Sequence, residues 1–156
     1  MSSGIARVSV EGVDVRLGGR TILRQAYVDA LPGSVTALVG VTGAGKTTLL
    51  RVLTGRLRPE RGHVRWEGAR VGRARLAGLS RRGLAFLPDH PWLSPRLSVA
   101  QHLSLAARMR GGPTAVGASD LALAWLDRRP DALSTGERRL TELAVALALG
   151  ATALVL

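Results

Sequence analysis

Valines at alternating positions near the start of the chain predict a strand with one buried face. They are Val8, Val10, Val13 and Val15, and the alternation slips by one residue at Gly12. Gly18-Gly19 then predicts a turn, and a second strand is expected from Thr21 to Val28. The chain therefore begins with a predicted antiparallel β-hairpin.

An uninterrupted apolar run from Val35 to Val39 lies between Pro32-Gly33-Ser34 and Gly40. Its length and its boundaries predict a buried strand. After a glycine-rich segment, apolar residues at helical spacing predict a helix from Thr47 to Leu53, with Gly55 as its stop. The glycine-rich segment is thus expected to join a strand to a helix.

The middle of the chain predicts short strands separated by turns. A turn over Arg58 to Gly62 leads to an expected strand from His63 to Trp66, and Glu67-Gly68 predicts the next turn. A further apolar strand is expected from Leu84 to Leu87, ended by Pro88.

Helical patterns follow. Ser98 and Gln101 have the spacing of a capping box, which predicts a helix to about Arg110, broken by Gly111-Gly112-Pro113. A second short helix is expected from Ser119 to Asp127.

The last uncharged stretch, Leu143 to Leu156, is too short to span a bilayer, which needs about 20 residues. It predicts a buried helix to about Leu149, capped by Gly150, and a buried final strand from Ala153 to Leu156. Together these elements predict an α/β fold in a single domain over residues 1–156, with an N-terminal antiparallel β subdomain and a helical insertion at about 91–132.

Composition narrows the class of protein. The 156 residues contain no Cys, and the three His (His63, His90 and His102) lack metal-ligand spacing, which excludes disulfides and thiolate metal sites. The absence of Cys suits a cytoplasmic protein. We find no signal peptide before the first strand. The net charge of +11 comes from arginines spread along the chain without aromatic interleaving, so we expect no nucleic-acid partner.

The single lysine of the chain, Lys46, closes a glycine-rich pattern G-x-x-x-x-G-K-[ST]. The candidate phosphate-binding segment consists of Gly40, Val41, Thr42, Gly43, Ala44, Gly45, Lys46, Thr47 and Thr48. Its glycines let backbone N–H groups face phosphate oxygens, and the following helix adds its positive end. In this pattern Lys46 reaches the β- and γ-phosphates, the Thr47 hydroxyl ligates Mg²⁺, and Thr48 is placed for the α-phosphate. The alternative is an ordinary glycine-rich turn.

A second motif, Leu133-Ser134-Thr135-Gly136-Glu137, follows at the start of the last predicted helix. By itself it is better explained as a helix cap at Ser134 or Thr135. Combined with the phosphate-binding segment, it makes the chain from about Val8 to Leu156 resemble the nucleotide-binding domain of an ABC (ATP-binding cassette) transporter. Leu133, Ser134, Thr135, Gly136 and Glu137 resemble the family signature L-S-G-G-Q, with Thr135 and Glu137 substituted.

The resemblance implies a P-loop NTPase core that binds ATP and Mg²⁺ and hydrolyses ATP. Two such domains, identical or different, would pair head to tail, with ATP between the phosphate-binding segment of one and the signature of the other. Ser134 and Gly136 would contact the γ-phosphate. Membrane-spanning subunits would be the partners, and the protein would lie on the cytoplasmic, inner face of the cell membrane. The transported substrate is selected by those subunits.

Three positions depart from the family pattern. Leu156 precedes the place of the Asp-Glu pair that orders Mg²⁺ and activates water, so we expect a truncated domain with an incomplete sheet and no turnover by this chain alone. Leu17 occupies the place of an aromatic that stacks on adenine. Asp89 occupies the place of a Gln that touches Mg²⁺ and the attacking water; it either serves that role or is a loop residue.

Other functions stay open at this point. They are a non-transport ABC ATPase of translation or DNA repair, and a degenerate chain without turnover. A GTPase with Asn-Lys-x-Asp is excluded because Lys46 is the only lysine.

Overall fold

The computed structural model describes residues 7–71, 76–112 and 120–156, with side chains absent from the description at 76 and 77. The chain forms two compact units, Met1–Arg82 and Gly83–Leu156. Each is described by itself below.

The first unit contains a four-stranded antiparallel sheet with the order β2-β1-β3-β4. Its strands are β1 (Val8–Leu17), β2 (Arg20–Ala30), β3 (Arg61–Trp66) and β4 (Ala69–Arg70). The predicted hairpin is confirmed, and its Gly18-Gly19 turn has φ values of 55° and 78°, as a two-residue hairpin turn requires. Of these four strands, only the two-residue β4 was not expected from the sequence.

The four alternating valines of β1 form the centre of this unit's core. Val10 and Val13 are completely buried, and Val8 and Val15 nearly so. The predicted slip at Gly12 is a β-bulge, at which the pairing of β1 with β2 shifts between Val10 and Val13. Because of the bulge, Val13 and Val15 lie on the same buried face as Val8 and Val10, although the alternation of the sequence is interrupted between them.

One glycine of β3 packs directly on the bulge. A Cβ atom at Gly62 would lie 2.4 Å from the carbonyl oxygen of Gly12 and 2.5 Å from that of Glu11. Both neighbours are backbone atoms, so they cannot rotate away. Gly62 also has a φ of 79°, in the left-handed region that glycine tolerates best.

Two helices complete the first unit, α1 (Lys46–Leu53) and α2 (Leu76–Ser80). The prediction for α1 is confirmed to within one residue, and Gly55 follows its C-cap Thr54 with a φ of 69°. Leu49, Val52 and Leu53 form the buried face of α1.

The predicted buried strand from Val35 to Val39 is wrong. The segment has no regular secondary structure, and Val35 and Val39 are 98% and 92% exposed. A buried strand needs hydrogen-bonding neighbours at its edges and apolar layers on its faces. Among the described residues, no strand pairs with this segment.

The second unit consists of a short parallel sheet and helices. Strands β5 (Leu84–Phe86) and β6 (Ala153–Val155) pair in parallel, and helices α3 (Val99–Arg110) and α4 (Thr135–Ala148) pack against each other. Their shared core is formed by small and branched side chains, among them Val99, Leu103, Ala144 and Val145. The expectation of an incomplete parallel sheet is confirmed for the described residues, which contain two of its strands.

The expected helix from Ser119 to Asp127 takes a tighter form. Residues Asp120–Trp125 form a 3₁₀ helix, and Ser119 lies outside the described residues. The Trp125 indole N–H donates to the Thr141 hydroxyl of α4 at 2.9 Å, which fastens this turn to the long helix. A second 3₁₀ turn, Pro130–Ala132, leads into α4.

The final stretch is only partly buried. The α4 portion is buried as predicted, but the prediction of a fully buried last strand is wrong, since Leu154 and Leu156 are 37% and 65% exposed. Of the three strand residues Val155 alone is buried, and among the described residues β6 pairs with β5 and with no other strand. In the part of the chain that the structure describes, no helix is long and apolar enough to cross a bilayer.

We predict that Gly62→Ala destabilises the first unit severely, by roughly 3 kcal/mol, because the new methyl group would collide with two backbone carbonyls. Gly19→Ala is the matched control. Gly19 has a φ of 78°, close to the 79° of Gly62, but nothing lies within 4 Å of a Cβ position there. The control should cost only the backbone strain, about 1 kcal/mol. Urea unfolding of both variants measures the difference; equal losses would contradict the steric explanation.

Candidate functional site

The glycine-rich segment forms a loop whose two ends are joined by hydrogen bonds from the Lys46 side chain. The Lys46 Nζ donates to the carbonyl oxygens of Gly40 at 2.7 Å and of Val41 at 2.9 Å. Within the loop, the Ala44 N–H donates to the Val41 carbonyl at 3.2 Å. The ammonium therefore lies inside the curve of the loop, bound to neutral acceptors.

Two glycines give the loop its curvature. Gly43 and Gly45 have φ values of 86° and 88°, in the left-handed region. Gly45 is needed for a second reason, since a Cβ atom there would lie 2.8 Å from Leu23 Cδ2 and 3.1 Å from the Ile22 carbonyl oxygen. The end of the loop therefore rests directly on β2, which fixes where α1 begins.

The N-terminus of α1 carries no cap. Gly45 precedes the helix without a side-chain hydrogen bond, and its first turn contains no acidic residue. The N–H groups of the first turn have no acceptor within a helix, so they keep their partial positive charge. With the Lys46 ammonium beside them, they form a centre of positive potential at the mouth of the loop.

Most of the loop is accessible. Val41, Thr42, Gly43 and Ala44 are exposed, as is Thr47, while Lys46 and Thr48 are half-buried. No atom lies within 4 Å of a Cβ position at Gly43, so a large anion can approach the backbone there. The loop has the donors and the open space that a chain of phosphates requires.

The candidate metal ligands fit Mg²⁺ only in combination with a phosphate group. Thr47 presents one hydroxyl on the exposed first turn of α1. Among the described residues, no three His, Cys, Asp or Glu side chains lie together as a metal site. Mg²⁺ commonly binds through one or two protein ligands and the phosphate oxygens of a substrate, which agrees with this donor set.

The second motif begins α4. Ser134 is the N-cap residue, and its hydroxyl accepts from the Glu137 N–H at 3.3 Å, while Glu137 Oε2 accepts from the Ser134 N–H at 2.7 Å. This reciprocal pair is a capping box. The N–H groups of Thr135 and Gly136 precede it in the first turn, and Ser134, Thr135 and Gly136 are exposed. Leu133 is buried and anchors the turn in the core.

Glu137 is the acidic residue in the first turn of α4. Hydrogen bonds from Ser134, first from its backbone and then from its side chain, hold the pKa of the Glu137 carboxyl below its usual value of 4.5. Arg128 Nη1 lies 3.6 Å from Glu137 Oε1 and lowers that pKa further. Glu137 therefore places an ionised, partly neutralised carboxylate beside the exposed N–H groups.

The stretch of chain that contains both motifs matches one protein family. A family model described as "ABC transporter" matches residues 23–156. The chain belongs to the ABC transporter family. The family's solved ATP-binding domains also share the fold described above, which is an α/β fold with an antiparallel β subdomain.

Curated relatives carry names of import and export ATP-binding proteins. The chain is 37% identical over 146 residues to the Fe(3+) ions import ATP-binding protein FbpC 2 of Rhodococcus jostii (strain RHA1), covering 90% of this chain and 42% of that protein. It is 33% identical over 138 residues to the lipopolysaccharide export system ATP-binding protein LptB of Acidithiobacillus ferridurans, covering 83% of this chain and 57% of the relative. The chain thus spans less than half of the first relative's length.

Solved structures agree with this assignment. An ATP-binding subunit of an ABC transporter matches with a TM-score of 0.71 at 25% identity, over 92% of this chain and 62% of that one. A nucleotide-free ATP-binding cassette from an ABC transporter matches with a TM-score of 0.73 at 22% identity, over 94% and 66% of the two chains. The second match shows the fold alone.

The two remaining candidate residues, Leu17 and Asp89, lie at exposed positions. Leu17, at the end of β1, is 42% exposed, and Tyr27 on β2 is 70% exposed with its hydroxyl over the Gly12 bulge. Asp89 and His90 are exposed just after β5 and Pro88. The structure brings Gly40 to Thr48 together in the first unit, and Leu133 to Glu137 in the second.

Sequence analysis missed the polar side chains that hold the loops of the second unit. His102 is buried, its Nδ1 lies 2.8 Å from the Ser98 carbonyl oxygen, and its Nε2 accepts from the Ser94 N–H at 3.0 Å. Glu142 is also buried and pairs with Arg139. A signal existed for this pair: an acidic residue on the apolar face of a predicted helix requires a cation about one turn away.

We predict that Glu137→Gln makes the thermal stability less dependent on pH in acid. The pKa of Glu137 is lower in the folded chain than in the unfolded chain. Its ionised form therefore stabilises the fold above the unfolded pKa, and this stability is lost as the pH falls through the folded pKa. Gln can still accept from the Ser134 N–H but does not titrate.

The measurement is the melting temperature of wild type and variant from about pH 6 to about pH 3. Glu60→Gln, which removes one exposed carboxylate outside any cap, is the control and should keep the wild-type slope. The Glu11 carboxyl, whose pKa the hydrogen bond from Arg65 lowers, titrates in both proteins. An unchanged slope in Glu137→Gln would contradict the assigned role.

Proposed function

We propose that this chain is an ATP-binding domain of an ABC-type membrane transporter, which couples ATP binding and hydrolysis to transport. The observation that carries the proposal is the pairing of Lys46 with the uncapped N-terminus of α1. Helices α3 and α4 both satisfy their first turns with capping boxes, whereas α1 has neither a side-chain cap nor an acidic residue in its first turn. A helix end left in this way next to an ammonium group suits an anionic ligand.

In this proposal the loop residues bind the phosphates of ATP. The Lys46 ammonium exchanges the neutral carbonyls of Gly40 and Val41 for β- and γ-phosphate oxygens, which are stronger, charged acceptors. The N–H groups from Gly43 to Thr48 donate to the same phosphates. When Mg²⁺ is bound with the nucleotide, it neutralises phosphate charge, and the Thr47 hydroxyl is the ligand that the loop offers. Asp89 is retained as a second candidate ligand.

The signature would act on a second ATP-binding domain. We infer a head-to-tail pair in which Ser134 and the Gly136 N–H face the γ-phosphate held by the partner domain. The exposure of both residues at the start of α4 supports this role. The pair would associate with membrane-spanning subunits on the cytoplasmic face of the membrane, as the import and export names of the relatives suggest.

The domain assignment belongs to the same proposal. Residues 1–156 would form a single, partial ATP-binding domain, in which about 91–132 form the helical subdomain. The 3₁₀ turns and α3 supply most of the helical content of that range.

ATP binding is tested by titration with a fluorescent ATP analogue. We predict that Lys46→Ala weakens binding at least about tenfold, since one charge-assisted contact to phosphate is lost in a partly enclosed loop. Arg51→Ala is the matched control, because it removes one positive charge from the exposed side of the same helix. Equal affinities of wild type and Lys46→Ala would refute the assignment of the loop.

We further predict that the chain by itself releases phosphate far more slowly than a full-length relative. The proposal assigns no group among these 156 residues as the general base that activates water, so slow turnover is expected of the 156-residue polypeptide. The measurement is steady-state phosphate release at saturating ATP and Mg²⁺. A rate equal to that of a complete domain would show that another group supplies the base.

A further inference from the structure

The exit of strand β5 is held by a guanidinium group from helix α4. Arg139 Nη1 donates to the Pro88 carbonyl at 2.8 Å, and Arg139 Nη2 donates to the Leu87 carbonyl at 3.3 Å. These two carbonyls belong to the residues immediately before Asp89. A planar guanidinium can bind two neighbouring carbonyls at once, whereas an ammonium offers no such fork.

Arg139 is itself held in place by a buried carboxylate. Glu142 Oε2 accepts from Arg139 Nη1 at 2.9 Å, and Glu142 is only 3% exposed. On the other side, the Leu87 N–H donates to the Val155 carbonyl of β6 at 2.9 Å. The segment before Asp89 is therefore bound both to α4 and to the parallel sheet of the same unit.

The same helix carries the signature at its N-terminus. Arg138, adjacent to Arg139, donates from Nε to the Pro130 carbonyl at 3.1 Å and so holds the turn that leads into Ser134. Two consecutive arginines thus attach two different loops to one helix. Both loops are thus attached to one continuous helix of 14 residues, which begins with a complete capping box.

We propose that Arg139 is a positioning residue that joins the Asp89 segment to the signature helix, so that Asp89 and Ser134 move as one body. The proposal rests on the proposed function for the roles of Asp89 and Ser134, but the mechanical joint is a property of the second unit alone. Any displacement of α4 by a nucleotide at Ser134 is then passed to Asp89 through the guanidinium.

The joint can be tested by distance measurements between spin labels, because the chain contains no Cys. His90→Cys places one label next to Asp89, and Leu149→Cys places the other at the exposed end of α4. A reference pair, Leu105→Cys with Leu149→Cys, reports the packing of α3 on α4. Each pair is measured without nucleotide and with ATP.

Four variants are made of both labelled proteins: the three described here and Arg139→Lys. Arg139→Gln with Glu142→Gln removes the joint without leaving a buried carboxylate unpaired, so the fold is retained. Glu142→Gln alone leaves the bonds of Arg139 to the two carbonyls. Arg108→Gln is the matched control, since the side-chain hydrogen bond of this α3 arginine within the described residues is to Ser104 of its own helix.

We expect a narrow 90–149 distance distribution in wild type, Glu142→Gln and Arg108→Gln, unchanged by ATP. In the double variant the width should increase about twofold, because the two carbonyls lose their shared donor. The 105–149 distribution should stay narrow throughout. Arg139→Lys, with one ammonium for two carbonyls, should give an intermediate width.

Two results would overturn the proposal. One is an unchanged 90–149 width in the double variant, and the other is equal broadening of both pairs, which would indicate a general loss of packing. Failure of the proposed function is separate: if wild type binds no ATP in the titration above, the comparison of widths without nucleotide still decides whether Arg139 forms the joint.

Discussion

The contact of Gly45 with β2 determines where the first unit places the Lys46 ammonium and the N-terminus of α1. Because this residue has no side chain, the loop descends onto Ile22 and Leu23 and α1 starts there. Lys46, the first residue of α1, then turns back over the loop to the carbonyls of Gly40 and Val41. The direction of the helix, the curvature of the loop and the location of the ammonium all follow from one close approach between loop and strand.

The three longer helices differ in how their N-termini are satisfied. Helices α3 and α4 use Ser with Gln or Glu to complete a capping box, which neutralises their first-turn donors locally. Helix α1 has only glycine before it, so its donors keep their affinity for an external anion. In α4 the two cap residues, Ser134 and Glu137, belong to the predicted signature, and the cap shapes the turn that presents Thr135 and Gly136.

In the second unit, hydrogen bonds from polar side chains hold the loops, while small and branched apolar side chains form the core. His102 spans from Ser94 to Ser98, Trp125 reaches Thr141, and Arg139 reaches the end of β5. Each of these groups has an acceptor or donor inside the unit, as buried polar groups require. Loops held by such bonds keep a defined orientation, which is a condition for any loop that carries ligand contacts.

Much of this structure follows from interactions between residues close in the chain. The hairpin turn at Gly18-Gly19, the bulge at Gly12, the caps at Ser98 and Ser134 and the motif around Lys46 depend on neighbours within a few positions, and the sequence alone predicts them. Other features needed the tertiary structure. The apolar run from Val35 to Val39 has strand character but no partner among the described residues, and the bonds of Arg139 join residues 51 and 52 positions apart. Pairing and long-range hydrogen bonds depend on which segments meet in space, and local pattern carries no information on that.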